Sequence, residues 1–413
     1  MKANLLKYLK INKSDLVSLV SQLVEIPTVN PPGEHYEKMV GFLEKRCKRI
    51  GLKTKRFLTP RSVLEKSGVK NGSKRISLVA DWKTSSKKTL HMASHYDVVP
   101  ATDKWRTPPF KAIVRGNRIY GRGSEDMKGN IACVLSALES MKKCGVRPKV
   151  NLQVSFTPDE EIGGATGLGY LIKKNLVKAD YAITEGHSGF YVSMGNKGVL
   201  WAEVMVEGKA SHASLPHKGI NAFERAAELV MEFKKLKKKL SRRKTSYHMI
   251  DDVSRSPSFV MGGLVEGGAK PNILPGRVLF SIDRRLIPEE DAFHAAKEIK
   301  GVIKRFNARY KDSKVHVKFI TKQNPSISLR DEEFFRATSE SIRSVIGKKA
   351  TFTIMSGATD IRYFMRRGVP SLGYGAKGGE SWHSDDEFVY IDSLVDTVKV
   401  YVLLMSGLGR SNI

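Results

Sequence analysis

Residues 89–97 read TLHMASHYD, an apolar run of strand length that closes on an imidazole and a carboxylate two residues apart. Two runs of the same kind follow, VNLQVSFTP at 150–158 and DYAIT at 180–184. Between the first and second, apolar residues recur at helical spacing from Gly129 to Lys143. Strands alternating with helices predict an α/β sheet with largely parallel strands, because each helix carries the chain back to the sheet's starting end. Upstream, residues 14–25 and 34–50 also carry helical periodicity, separated by Pro31, Pro32 and Gly33, which punctuate a helix rather than continue it.

From Gly198 the rhythm changes. VLWAEVMVEG (199–208) leads into a helical pattern at 219–240, then SFVMGGLVEGG (258–268), VLFSIDRRL (278–286), a second helical pattern at 289–309, and VHVKFI (315–320). This βαββαβ order predicts a ferredoxin-like domain. After about Thr321 helix and strand patterns resume.

The strand ends carry the chemistry. His95 stands in HYDVVP, Asp126 in GRGSEDMKG, Glu161 in TPDEEIGG, Glu185 in AITEG and His383 in SWHSDDE. Two imidazoles and three carboxylates form an N/O donor set of the kind that holds a pair of divalent, zinc-like ions. Carboxylates bridge two such ions about 3.5–4 Å apart, and the pair activates water for hydrolysis. Alone, His-x-Asp reads as a satisfied polar pair and Glu-Glu as a solvated surface. Their position at the ends of apolar strands argues otherwise, since ligand crevices of open α/β sheets lie there. Asp97 shares a face with His95 and suits the free ring N–H of a metal-bound imidazole. Glu160, beside Glu161, is a spare carboxylate suited to general-base work. Glycines flanking Asp126 and Glu161 allow tight turns around the site. Because His383 must meet His95, the catalytic domain is expected to be discontinuous, 1–197 with 321–413, and 198–320 to be inserted into it.

These motifs, in this order, resemble the M20 metallopeptidase family, which contains acetylornithine deacetylase, succinyl-diaminopimelate desuccinylase, aminoacylase and carboxypeptidase G2. The likeness runs from LVEIPTVNPPG (23–33) to SWHSDDEFVYIDSLV (381–395). It is nearest to the deacetylase and desuccinylase branch in GKASHASLPHKGINAFERAAEL (208–229) and FSIDRRLIPEE (280–290). The resemblance implies that His95 and Glu185 sit on one metal and Glu161 and His383 on the other, with Asp126 bridging. It makes Asp97 the orienting acid and Glu160 the general base. It also implies a lid and dimerisation role for 198–320, a homodimer in which His212 reaches the partner's site, and substrate contacts from Asn272 and Arg285. Thr359, in SGATD, is a further candidate to seat the substrate, through its hydroxyl. Arg285 suits a two-point grip on a carboxylate, the alternative being an ion pair with Asp283 or Glu289. The expected reaction is hydrolysis of an N-acyl amino acid with zinc, or cobalt or manganese in its place. The alternative is a di- or tripeptidase or carboxypeptidase with the same centre. Gly195-Asn196-Lys197-Gly198 replaces an Arg-Arg-Gly run of the desuccinylase, and Gly379 stands where that enzyme has Asn. Both departures favour acetyl over succinyl.

At 413 residues with 41% hydrophobic and 27% charged content, the chain has ample material for more than one core. No apolar run reaches membrane-spanning length, and MKANLLKYLKINKSD is broken by lysines without a cleavage pattern, so neither membrane span nor secretory leader is expected. Cys47, Cys133 and Cys144 show no CxxC spacing, which fits a reducing cytoplasm. The net charge of +29 concentrates in KKLKKKLSRRK at 234–244. Cations at the end of a helical segment suit its dipole, and no aromatics interleave them, so specific nucleic-acid binding is not expected.

Overall fold

A computed structural model of the protein describes residues 11–69, 74–379 and 382–409. The first ten residues, read above for a leader pattern, lie outside that description. Two compact units are present: Met1–Met194 with Ser328–Phe352 and Thr359–Ile413, and Gly195–Ile327 with Thr353–Ala358. The second unit therefore ends later than residue 320 and also takes in a short later segment.

The first unit is built on a sheet whose strands lie in the order Lys53–Leu58, Ile76–Trp82, Asn151–Thr157, Thr89–His95, Tyr181–His187, Ser371–Tyr374 and Tyr191–Asn196. Its four central strands, from Asn151–Thr157 to Ser371–Tyr374, are parallel and the flanking pairs antiparallel. Thr89–His95 is buried along its whole length, as a strand covered on both faces must be. The register sets His95 opposite Thr157 and Met92 opposite Ile183. The parallel strands therefore bring His95, the Glu160-Glu161 turn and Glu185 out at one end of the sheet.

Helices hold this platform from both sequence ends. Lys13–Val24 buries Leu16, Leu19, Val20, Leu23 and Val24, the i, i+3, i+4, i+7 stripe of an amphipathic helix, and Asn12 caps it by accepting from Ser14 N at 3.0 Å. Gly129–Lys143 buries eleven of its fifteen residues because it packs between the sheet and the helix Ile391–Gly407. Each fully buried Leu or Val in this core contributes about 1.5–3 kcal/mol. A Cβ at Gly129 would lie 2.3 Å from Ser124 O, so the chain passes from the Asp126 loop into this helix only through glycine.

The second unit is a four-stranded antiparallel sheet in the order Ser258–Gly267, Arg277–Leu286, Gly198–Glu207, Lys314–Gln323, with helices Ala222–Leu240 and Ala292–Arg309. That strand order with two crossover helices is ferredoxin-like. Leu200, Ala202, Val204 and Val206 alternate into a core with Leu229, Phe233, Ile299 and Phe306. Arg284 occupies an inward position of the strand Arg277–Leu286, 0% exposed, and pairs with Glu290 at 2.9 Å and Glu298 at 2.7 Å. Arg243, at the end of the lysine-rich run, joins the same two carboxylates. Among the described residues no helix is long and apolar enough to cross a membrane.

Candidate metal centre

In the first unit, His95, Asp126, Glu161 and His383 come together. His95 leaves its strand with Nε2 3.0 Å from Asp126 Oδ1. The other oxygen of Asp126 faces His383 Nε2 at 3.6 Å, and that nitrogen is 2.9 Å from Glu161 Oε2. Donors around a tetrahedral ion with bonds of about 2.0–2.2 Å stand roughly 3.4 Å apart, so these separations suit ligands of shared cations. Donor atoms of His95, Asp126 and Glu161 lie within 4.8 Å of one another. Glu185 Oε1 accepts from Asp360 N at 3.2 Å, and its carboxyl feels the charges of His95 and Asp126.

The electrostatics describe a site in need of positive charge. Burial, then the Asp126 carboxylate, push Glu161 up to about 7. Burial raises Glu185 to about 7 as well, with His95 opposing and Asp360 assisting. Glu160 is held well above its ordinary value, by burial first and then by Asp360, Glu185 and Glu161, with His95 opposing. His383 is raised to about 10 by its bonds to Asp126 and Glu161. Burial lowers the His95 imidazole, yet Asp126 and Asp97 together hold it well above its ordinary value. So many buried carboxylates around two imidazoles carry more negative charge than the histidines can balance, and divalent cations fit that donor set.

Asp97 faces His95 through both backbone and side chain. Its backbone carbonyl lies 3.0 Å from His95 Nδ1 and its carboxylate 3.5 Å from the same nitrogen. The carboxylate also accepts from Glu160 N and Glu161 N, each at 3.2 Å, and from Asn30 Nδ2 at 2.9 Å. Asp97 thus ties the Glu160-Glu161 turn to the His95 strand end. Asp159, unnoticed in the sequence, anchors the same turn from below. It is left-handed (φ 69°), fully buried and paired with the buried Arg75 at 3.0 Å. Asn30 bridges it to Asp97.

Asp360 was also missed. Asp360 is 3% exposed, with Arg362 at 3.5 Å, and a Cβ at Gly164 would lie 1.9 Å from its Oδ1. Arg362 and Tyr363 both donate to Gly163 O at 2.7 Å, fastening the loop that follows Glu161. Thr359, buried, precedes this clamp and belongs to the first unit. The one available signal was the SGATD motif, where Asp360 follows the residue singled out.

His212, Asn272 and Arg285 belong to the second unit. His212 is exposed, its Nδ1 2.6 Å from Ser214 Oγ, and it pairs with Ile273, which places it next to Asn272. Arg285 makes the two-point ion pair with Asp283, at 2.9 and 3.0 Å. Its fork is therefore engaged within the chain.

The chain is 27% identical to an uncharacterized metallohydrolase of Methanocaldococcus jannaschii over 94% of this chain and 98% of that protein. It is 25% identical to aminoacylase-1 of Mus musculus over 95% of each. Its fold is similar to that of human carnosine dipeptidase 1, with a TM-score of 0.79 at 17% identity over 99% of this chain and 98% of that one. Residues 91–407 match peptidase family M20/M25/M40, and the chain belongs to that family as a metal-dependent hydrolase of amide bonds.

Proposed function

We propose that the protein hydrolyses N-acyl amino acids to a carboxylate and a free amino acid, in the manner of the deacetylase and desuccinylase branch, with acetyl preferred to succinyl. The observation that carries the reading is Asp126, which turns one oxygen to each imidazole, at 3.0 Å to His95 and 3.6 Å to His383, as a bridging ligand would. His95, Asp126, Glu161, Glu185 and His383 would hold two divalent ions, zinc by donor type, with cobalt or manganese accepted by the same donors. When bound, such a pair supplies Lewis acidity and makes water nucleophilic at neutral pH.

The chain's own residues do the rest. Glu160 takes a proton from water as its oxygen attacks the amide carbon, then returns it to the leaving nitrogen as the C–N bond breaks. Its carboxyl, raised by burial and neighbouring acids, suits both halves of that task. His212 donates to the developing oxyanion, reaching across a homodimer formed through the 198–320 domain. Arg285 receives the substrate carboxylate, which must displace Asp283 from the fork. Asn272 and Thr359 complete the pocket.

A di- or tripeptidase or carboxypeptidase needs the same centre. A panel of N-acetyl and N-succinyl amino acids and plain dipeptides, assayed with added zinc or cobalt, tests the proposal. Faster turnover of dipeptides would replace it with the peptidase reading, and no hydrolysis of any amide would reject both.

A further inference from the structure

We infer that Glu387 is a positioning residue that assembles the metal centre, holding the Asp126 and His383 loops in register; the inference rests on the metal reading above. Asp126 sits on irregular backbone, φ −116° and ψ 93°; Ser124 N and Lys128 N bond to nearby carbonyls, but among the described residues no neighbouring carbonyl serves Gly123 N, Glu125 N and Asp126 N. Glu387 serves them instead. Its Oε1 accepts from Glu125 N at 2.9 Å and Asp126 N at 3.0 Å, and its Oε2 accepts from Gly123 N and Arg122 Nη1, both at 2.9 Å.

The connection runs both ways. Arg122, 1% exposed, extends Nη2 to Pro100 O and His383 O, each at 3.4 Å. A carboxylate four residues after His383 thus organises the amides that lead to Asp126. An arginine four residues before Asp126 reaches back to the carbonyl of His383. His383 itself is left-handed (φ 63°), outside any helix or strand, and its side chain is more than half exposed. Glu161 Oε2 holds the ring at 2.9 Å and Arg106 N donates to Asp386 at 3.0 Å, so what the Arg122 contact adds is a hold on the backbone of His383 itself. The competing account is a buried ion pair that stabilises the fold and has no bearing on metal.

The test is zinc titration of stripped protein against a chromophoric chelator, with urea unfolding of the stripped protein alongside. Wild type should bind two ions; failure there would overturn the metal reading itself rather than the brace. Glu387→Gln keeps the side-chain volume and one acceptor oxygen, so it folds, and its zinc affinity should fall about 10–100-fold. Because that variant takes the counter-charge from buried Arg122, the double replacement Arg122→Met with Glu387→Leu removes the brace while keeping the site packed. It should lose at least as much affinity. Leu404→Ala, in the core of the helix Ile391–Gly407, controls for lost stability: its urea midpoint should drop and its zinc affinity stay at the wild-type value. Wild-type affinity in either folded brace variant, or an equal affinity loss in Leu404→Ala, overturns the inference.

Discussion

Replacing Asp97 by alanine should weaken the centre and the fold together, and the structure sets the size of each effect. The carboxylate is fully buried and accepts from Glu160 N, Glu161 N and Asn30 Nδ2. Each buried amide left without a partner costs about 1–3 kcal/mol. Two of them, with water entering part of the space, correspond to a stability loss of about 2–4 kcal/mol by the same rule. The freed turn also lets Glu161 drift from His383, and lost support of this kind lowers metal affinity about 10–100-fold. That is about 1.4–2.7 kcal/mol of binding. Asp97→Asn retains one oxygen for one of the two amides, so it should lose less stability while showing a similar drop in affinity. Urea unfolding in chelator reads the first quantity, and competition for zinc against a chromophoric chelator reads the second. A folded Asp97→Ala variant with wild-type zinc affinity and a wild-type urea midpoint would refute the reasoning.

Glu160→Gln should bind both ions normally and lose roughly 10²–10⁴ in turnover; near-normal turnover in fully metallated protein would remove it as the base. Chelated protein should lose stability as pH rises from about 5 to 9. Glu161 and Glu185, raised to about 7 chiefly by burial, add a penalty that builds between the ordinary carboxylate value and 7. His383, raised to about 10 by Asp126 and Glu161, loses its favourable contribution over the range above the ordinary imidazole value. Excess zinc should flatten that slope, and a chelated protein whose urea midpoint rises with pH would contradict the description. Arg285→Lys should impair kcat/KM for free-acid substrates more than for their amides, because lysine lacks the planar fork; equal losses would take Arg285 out of the pocket. Mixing inactive His212→Ala and Glu160→Ala homodimers should restore roughly a quarter of the sites if His212 acts across a two-fold dimer. No recovery would place it in its own subunit's site.

Local pattern alone carried much of this protein. Alternating apolar strands and helical spacings announced the α/β sheet and the βαββαβ unit because those periodicities are written within each element. The donor types were legible for the same reason, each sitting in a short motif at a strand end. Lys53–Leu58 escaped notice because an edge strand with little buried surface has no apolar alternation to read. The parallel centre with antiparallel flanks likewise depends on which strands pair, a matter of long-range register.

Partnership was the part that only tertiary structure decided. Sequence marks Asp97 as an acid beside His95, yet the fold commits its carboxylate to the backbone of Glu160 and Glu161, 63 and 64 residues away. Arg284 sits in strand alternation like any core residue, and only Glu290 and Glu298 make its burial tolerable. Glu387 reads as one more acid in SWHSDDE until the amide of Asp126, 261 residues earlier in the chain, is found against it. A buried charge is held by whatever neutralises it, and that neighbour is chosen by the packing of distant segments rather than by the residues on either side.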